Sequence, residues 1–369
     1  METRDPARSQ PTRRPTVSII IPARNEQINL RACLESLIPQ AGVSLEIIVA
    51  DDGSSDGTRH IAESFAGVQV ISPGGLRSGW TGKNNAVFSG AAVARGEWLL
   101  FTDADTVHYP GSLARAVAEA QQHDAALLSY SPRQEVRGFW EKAVMPVIFA
   151  ELAAAYRPAD VSDPASAEAA ANGQYILISR EAYDGVGGHA AVAASLLEDV
   201  ALARAVKASG RRIFFRFGGD AVRTRMYRSF TQLREGWTKN LALLFRCPAR
   251  LAAIRLTEFI LIVNTAGLAL VAAVFNLRGV SAGAAALCVV LLAFLFRRIR
   301  PAYFFWDANL LAIFGLPIFS YLLLRSRLSH KRNRVSWKGR DYAPARLIAE
   351  GNAGAAHAAP SRPRPAGIT

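Results

Sequence analysis

The sequence predicts an α/β chain: a mainly parallel sheet with helices on both faces, followed by C-terminal transmembrane helices. Three observations carry that expectation. Short apolar runs alternate with helical stretches through about residue 250, the pattern of strand–helix repeats that build a parallel sheet. Several of those runs end directly in acidic residues, as at Asp51-Asp52 and at Asp103 and Asp105. From Leu256 onward the composition turns apolar. Leu256–Leu277, Val280–Phe296 and Ala302–Leu324 are each near the roughly 17–25 residues that cross a bilayer.

Taken in order, Val17–Ile21 is the first expected strand, bounded by Pro22. Asn25 is a good N-cap for a helix with Ile28, Cys33, Leu34, Leu37 and Ile38 on its apolar side. Leu45–Ala50 is the second strand and runs into Asp51–Thr58 (DDGSSDGT). Helix Asp56–Phe65 and strand Val68–Ile71 follow. A loop with Pro73, Gly74, Gly75 and Gly79 leads to helix Lys83–Ala94, and strand Glu97–Phe101 then delivers the Asp103/Asp105 pair. Beyond it come helix Pro110–Gln122, strand Ala125–Tyr130 and a helical stretch Phe139–Tyr156. That stretch is read as a core helix, with a place on the membrane surface as the alternative. Arg157–Ala171 shows no clear period and is expected to be a mobile loop, and Gly351–Thr369, rich in Ala, Pro and Gly, is expected to be disordered.

Composition narrows the class. Cys33, Cys247 and Cys288 form no CxxC pair, so neither a disulfide framework nor a zinc signature is expected. The net charge of +13 alone is weak evidence for nucleic acid, and no nucleic-acid partner is expected. Arg325, Arg327, Lys331, Arg332, Arg334, Lys338 and Arg340 follow the last apolar stretch. A polybasic segment there suits anionic lipid headgroups on the inner side. Met1–Pro15 is polar and lacks an apolar h-region, so no signal peptide is expected. The resulting domains are a disordered basic arm (1–15), a soluble α/β domain (16–250), a membrane domain (251–325) and a basic cytosolic tail (326–369). The localisation expected is the inner (plasma) membrane, multi-pass, with the α/β domain cytosolic. One tension remains in this reading: three full crossings would put the basic tail outside. Asp307, Asn309, Gly315 and Pro317 suggest that the third segment is broken or re-entrant, with Asp307 facing protein.

The acidic pairs carry the chemistry. On a strand, residues i and i+2 point the same way, so Asp103 and Asp105 can present oxygens to one hard cation. Such an ion completes its shell with substrate phosphates. In an open α/β sheet, ligands collect at the carboxyl ends of the strands, where Asp51, Asp52, Asp103 and Asp105 all fall. No GxGxxG and no Walker loop is present, which argues against dinucleotide or ATP binding.

With these residues in place, the chain resembles a family 2 glycosyltransferase with the Rossmann-like GT-A fold. The resemblance rests on Val17–Glu26 (VSIIIPARNE), Asp51–Thr58, Gly79–Asn84 (GWTGKN), Thr102–Thr106 (TDADT), Asn172–Tyr175 (NGQY) and Glu198-Asp199, in the family's order. Arg225–Tyr227 (RMY), Gly236–Asn240 (GWTKN) and Trp337–Arg340 (WKGR) are similar to the membrane-anchored bacterial branch that acts on carotenoid- or hopanoid-related lipids. The resemblance implies a nucleotide-sugar donor, a UDP-sugar, a lipid acceptor and Mg²⁺ or Mn²⁺. It implies that Asp51 or Asp52 receives the uracil imide, while Pro22, Ala23 and Glu26 wall the base and ribose. Lys83 would neutralise diphosphate charge, Asp105 hold the metal, and Asp103 approach the ribose or a metal-bound water.

Glu198 and Asp199 open a helix, and the resemblance implies that Asp199 is the general base of an inverting transfer. Asn172, Gly173, Arg225, Trp237 and Lys239 are expected near the acceptor or diphosphate, although a helix packing Trp237 against the membrane domain fits equally. Gln232, Arg234 and Trp237 have the wrong spacing for the QxxRW of processive synthases. A single transfer is therefore expected, against the alternatives of a polysaccharide synthase or a non-catalytic scaffold.

Overall fold

The computed structural model describes residues 16–332 and 334–342. The arm expected over residues 1–15 and the tail expected from Gly351 lie outside the described residues. In chain order the elements are β1 (Val17–Ala23), α1 (Leu30–Leu37), β2 (Leu45–Asp51), α2 (Thr58–Glu63), β3 (Val68–Ile71), α3 (Gly82–Val93), β4 (Trp98–Phe101) and β5 (Thr106–His108). Next come α4 (Ser112–Gln122), β6 (Leu127–Ser131), β7 (Arg133–Gln134), α5 (Phe139–Ala155), α6 (Pro158–Ser162), β8 (Ile176–Ser179), α7 (Arg180–Gly185), α8 (Gly188–Ala191) and α9 (Glu198–Ala208). The chain continues through β9 (Ile213–Phe217), β10 (Val222–Thr224), α10 (Phe230–Leu244), α11 (Pro248–Val274), α12 (Arg278–Ile299), α13 (Trp306–Lys331), β11 (Val335–Trp337) and β12 (Arg340–Tyr342).

The central sheet has the order β3-β2-β1-β4-β8-β6-β9. It is parallel except at β8, which runs antiparallel to β4 and β6. β1 is buried along nearly its whole length because helices cover both faces. One core packs α1 and α4 residues such as Leu34 and Leu113 against Ile19 and Val49; the other packs Val87 of α3 and Leu202 of α9 against Ile20 and Ile48. The parallel strands β1, β2 and β4 therefore end on one edge, and the acidic turns share it.

Several local expectations change. Asn25 is not a helix cap: it adopts φ +55°, its side-chain oxygen accepts the Ser55 N–H at 2.9 Å, and α1 starts only at Leu30. Ile28 is consequently exposed. The stretch 157–171 is packed rather than mobile. Val161, Ala169, Ala170 and Ala171 are buried, and Lys207 Nζ donates to the Val161 and Glu168 carbonyls at 2.8 and 2.6 Å.

A third core joins α5 and α10 to the C-terminal helices, with Val144, Ile148, Trp237, Leu316 and Phe319 buried together. Among the described residues three helices are long and apolar enough to cross a membrane. Among them α11 and α12 pair antiparallel, with Ser281 Oγ donating to the Ala269 carbonyl at 2.9 Å. At the base of this pair Glu151 of α5 holds Arg255 at 2.7 Å, and Arg298 reaches Glu258 at 2.6 Å. α13 is one unbroken helix despite Pro317. Both of its ends touch the α/β domain: Asp307 pairs with Lys142 of α5 at 2.6 Å, and the His330 ring donates from Nε2 to the Lys239 carbonyl of α10 at 2.8 Å. Asp307 thus faces protein, as expected.

Candidate active site

At the end of β1 the backbone passes through Pro22 and Ala23, and the Ala23 carbonyl accepts the Asp52 N–H at 2.8 Å. That bond locks the β1 and β2 ends together and separates the two aspartates. Asp51 is the last residue of β2; its side chain is buried and its Oδ1 accepts the Ser54 N–H at 3.1 Å, closing the turn. Asp52, one residue on, turns to the opposite side and lines a cavity of about 560 Å³ that also takes in Pro22, Ala23 and Glu26. Asp51 does not line it.

The Asp103/Asp105 pair reaches the same cavity by a different local geometry from the one expected. β4 ends at Phe101, so the aspartates lie in a turn, not on a strand. The turn is held by Thr106 Oγ1 donating to the Asp103 carbonyl at 2.8 Å and Thr102 Oγ1 donating to the Gln174 carbonyl at 2.8 Å. Buried His108 lies beside both hydroxyls at 3.1 to 3.2 Å, and burial lowers its pKa to about 3, so the ring stays neutral. Asp105 Oδ1 is buried and has no hydrogen-bond partner among the described residues. Burial, then Asp103 and Glu26, raise the Asp105 carboxyl to about 7.

α3 starts at Gly82 with Thr81 as a true N-cap, its side chain accepting the Asn84 N–H. This aims Lys83 into the cavity, where its Nζ bridges Asp103 at 2.9 Å and Glu198 at 2.8 Å. Burial pulls the Lys83 pKa down, but Asp103 and Glu198 more than offset it and hold the ammonium well above its usual value. Burial likewise pushes Glu198 up; Lys83 and Lys239 overcome it and hold Glu198 at about 2.

Asp199 lies beside this ion cluster with its Oδ2 accepting the Gly173 N–H at 2.9 Å and its Oδ1 the Val200 N–H at 2.8 Å. Burial and then the Glu198 charge raise Asp199 to about 6. The adjacent acids are therefore driven apart, one permanently charged and one poised near neutrality.

Asn172, Gly173, Arg225, Trp237 and Lys239 also line the cavity, with differing freedom. Arg225 is taken up by Glu141 at the start of α5, through Nη2 at 2.8 Å and Nε at 3.0 Å. Trp237 is buried in the third core beside Phe149 and Tyr227, so it serves both the packing of the C-terminal apolar helices and the cavity wall. Lys239 is half-buried, and desolvation lowers its pKa despite Glu198 nearby. Beyond these polar groups the lining becomes apolar, with Phe149, Leu152, Phe215, Phe217 and Leu244.

Residues 18–185 match the family model described as glycosyl transferase family 2. They are a family 2 glycosyltransferase domain. Among curated proteins, the 4,4'-diaponeurosporenoate glycosyltransferase of Staphylococcus aureus strain MRSA252 is 28% identical over 340 residues, covering 89% of this chain and 88% of that protein. The protein of the same name from strain USA300 is 27% identical over 336 residues, with the same coverage of 89% and 88%. Among solved structures, the mannosyltransferase PcManGT from Pyrobaculum calidifontis, in complex with GDP-Man and Mn²⁺, superposes with a TM-score of 0.52. It is 19% identical and covers 86% of this chain and 87% of that one. That likeness establishes the fold, GT-A.

The glycosyltransferase domain receives one contribution that sequence reading assigned elsewhere. Lys338 and Arg340 do not take the lipid-facing place expected for the basic run. The β11–β12 hairpin folds back onto the cavity, where Lys338 pairs with Glu26, its Nζ donating also to the Arg24 carbonyl at 3.0 Å, and Arg340 pairs with Asp52. Trp337 lies under Lys239, the Nζ 5.6 Å from its ring centroid. A signal was present: Lys338-Gly339 is a two-residue turn candidate between short β-prone runs.

Proposed function

We propose that this glycosyltransferase moves one sugar from a nucleotide-sugar, a UDP-sugar, to a membrane lipid with inversion at the anomeric carbon. One observation carries the reading: a single cavity is lined by Lys83, Asp103, Asp105, Glu198 and Asp199 and also by apolar side chains of α5, β9 and α10. A charged donor and an apolar acceptor then meet at Asp199.

In this reading Pro22 and Ala23 wall the base and ribose, and Asp52 rather than Asp51 receives the base. Lys83 orients the diphosphate. Asp105 and Asp103 would hold Mg²⁺ or Mn²⁺. The partnerless buried Oδ1 of Asp105 fits a cation. No cluster of three or more ligating side chains occurs among the described residues, so donor phosphates would complete the shell. When bound, the ion stabilises the departing nucleoside diphosphate as a Lewis acid. Asp199, with its carboxylate oriented by the Gly173 and Val200 amides, takes the proton of an acceptor hydroxyl. A carboxylate or phosphate acceptor would not need that step.

For the acceptor, the names of the Staphylococcus aureus relatives favour a carotenoid-type molecule over a hopanoid-related or polyprenyl one. The membrane arrangement proposed is an inserted α11–α12 hairpin with α13 lying along the catalytic domain. From Arg255 to Val274 an α-helix rises about 30 Å, one hydrocarbon thickness. Two crossings return the chain to the cytosolic side, so the basic segment after α13 stays with the catalytic domain and obeys the inside-positive trend.

The test is nucleoside diphosphate release by the full-length protein in detergent. It would be supplied with UDP- and GDP-sugars and a carotenoid-containing lipid extract, with mass spectrometry of the lipid product. A lipid heavier by one hexose or hexosamine is expected. No release from any nucleotide-sugar would refute the enzyme reading, and a long polymeric product would refute single transfer.

A further inference from the structure

We infer that the C-terminal hairpin Val335–Tyr342 is a cationic clamp on the donor, with Lys338 and Arg340 as ligands of its diphosphate. The inference rests on the reading of the cavity as a nucleotide-sugar site and adds two residues from the far end of the chain, Lys338 lying 312 positions from Glu26 and Arg340 288 from Asp52.

Three features of the hairpin support it. Its backbone is anchored apart from its cations: the Lys338 N–H donates to Glu235 of α10 at 3.1 Å, and Trp337 packs on Lys239. Its turn is tight, with Trp337 opposite Arg340 and both Lys338 (φ +47°) and Gly339 (φ +72°) in the left-handed region. This is the two-residue turn whose twist suits a hairpin, and it leaves Lys338 at the tip and Arg340 just behind. Both side chains then point at cavity carboxylates, Glu26 and Asp52.

Those carboxylates occupy the cations where a donor would compete for them. Asp52 is the aspartate facing the base subsite, and while Arg340 holds it, it is not free to receive a nucleobase. A Cβ on Gly82, at the N-terminal end of α3, would run into the Arg340 guanidinium and Asp52. Arg340 therefore stands directly over the helix start beside Lys83, where backbone amides favour an anion. Donor entry exchanges the pairs: Arg340 and Lys338 leave Asp52 and Glu26 for diphosphate oxygens, and Asp52 is released to the base. A guanidinium matches two phosphate oxygens at once. No covalent step is involved.

The experiment is binding of UDP, GDP, uridine and guanosine to the full-length protein in detergent with Mn²⁺ present. Wild type is compared with Lys338→Ala, Arg340→Ala and Lys338→Arg. The clamp predicts that each alanine variant loses about tenfold in nucleoside diphosphate affinity, the worth of one charge-assisted contact. Nucleoside affinity is kept, or rises in Arg340→Ala as Asp52 is freed, and Lys338→Arg restores diphosphate binding. Trypsin cleavage after Lys338 and Arg340 should slow with diphosphate and not with nucleoside.

Equal loss of nucleoside and diphosphate affinity would assign the hairpin a merely structural role, and unchanged diphosphate affinity would remove the clamp; either overturns it while the transferase reading stands. If wild type binds neither diphosphate, the donor reading fails and the clamp fails with it.

Discussion

Gly173 donates its backbone N–H to Asp199 Oδ2 at 2.9 Å, tying the segment before β8 to the first turn of α9. A Cβ at residue 173 would meet Lys83 Nζ at 3.1 Å and Asp199 Oδ2 at 3.3 Å. The glycine is needed for space between an acid and a base, since its φ is not in the left-handed region. Gly173→Ala should therefore shift Asp199 by a few tenths of an ångström. We expect turnover to fall about tenfold to a hundredfold, with donor affinity changed far less. Equal effects on both would place Gly173 in donor binding instead.

Asp199→Asn should cost about 10²- to 10⁴-fold in transfer to a hydroxyl acceptor and spare nucleoside diphosphate binding. In wild type the active form is the ionised carboxylate, so kcat/KM should rise with pH through about 6. The Glu198 charge is part of what holds Asp199 up, so Glu198→Gln should move that limb to lower pH. A limb that stays in place would show that another group titrates.

Asp105 offers a stability test independent of turnover. Its folded-state value of about 7 lies above the ordinary 3.8. A carboxyl raised on folding favours the native state below its unfolded value, and that contribution is lost as pH rises through the folded value. With chelator present, Asp105→Asn should therefore melt higher than wild type above neutral pH, with the gap narrowing towards pH 4. Adding Mn²⁺ should raise the melting temperature of wild type and leave the variant unmoved. A variant that responds to Mn²⁺ as wild type does would exclude Asp105 as a ligand.

Gly315 sits where α13 passes close to the backbone of α5. A Cβ there would run into the Ala143 carbonyl and lie 3.1 Å from Val147 Cγ2. Small residues allow such close helix packing. Gly315→Ala should destabilise the folded protein by about 1–3 kcal/mol, measured as a lower melting temperature in detergent, and should loosen the hairpin that follows α13. No loss of stability would show that α13 does not rest on α5.

Much of the site was legible because its chemistry lies at strand ends. Parallel strands finish on one edge of their sheet, so Asp52 and Asp103 could be brought together from spacing alone. Glu198 and Asp199 were equally legible as an acid pair opening a helix. Side-chain direction at single-residue resolution was not. Asp51 and Asp52 are neighbours of one chemical type, and only the bond from the Asp52 amide to the Ala23 carbonyl decides which one faces the cavity. Arg225 reads as a free cation until Glu141, 84 residues away, is folded against it.

What the sequence determined by itself is the kind of chemistry and its scaffold: period-2 and helical patterning, acidic turns, and a run of apolar segments from Leu256 to Leu324 long enough for a membrane. These are local properties, set by side-chain type and by the short-range geometry of strands, turns and helices. What only tertiary structure decided is which distant groups meet. The WKGR turn swings from beyond α13 to Glu26 and Asp52, and α13, long enough for a membrane span, packs against α5 and α10 as well as α11. Both outcomes depend on burial and charge pairing between segments far apart in the chain, and a helix of the same length and hydropathy can satisfy either lipid or protein.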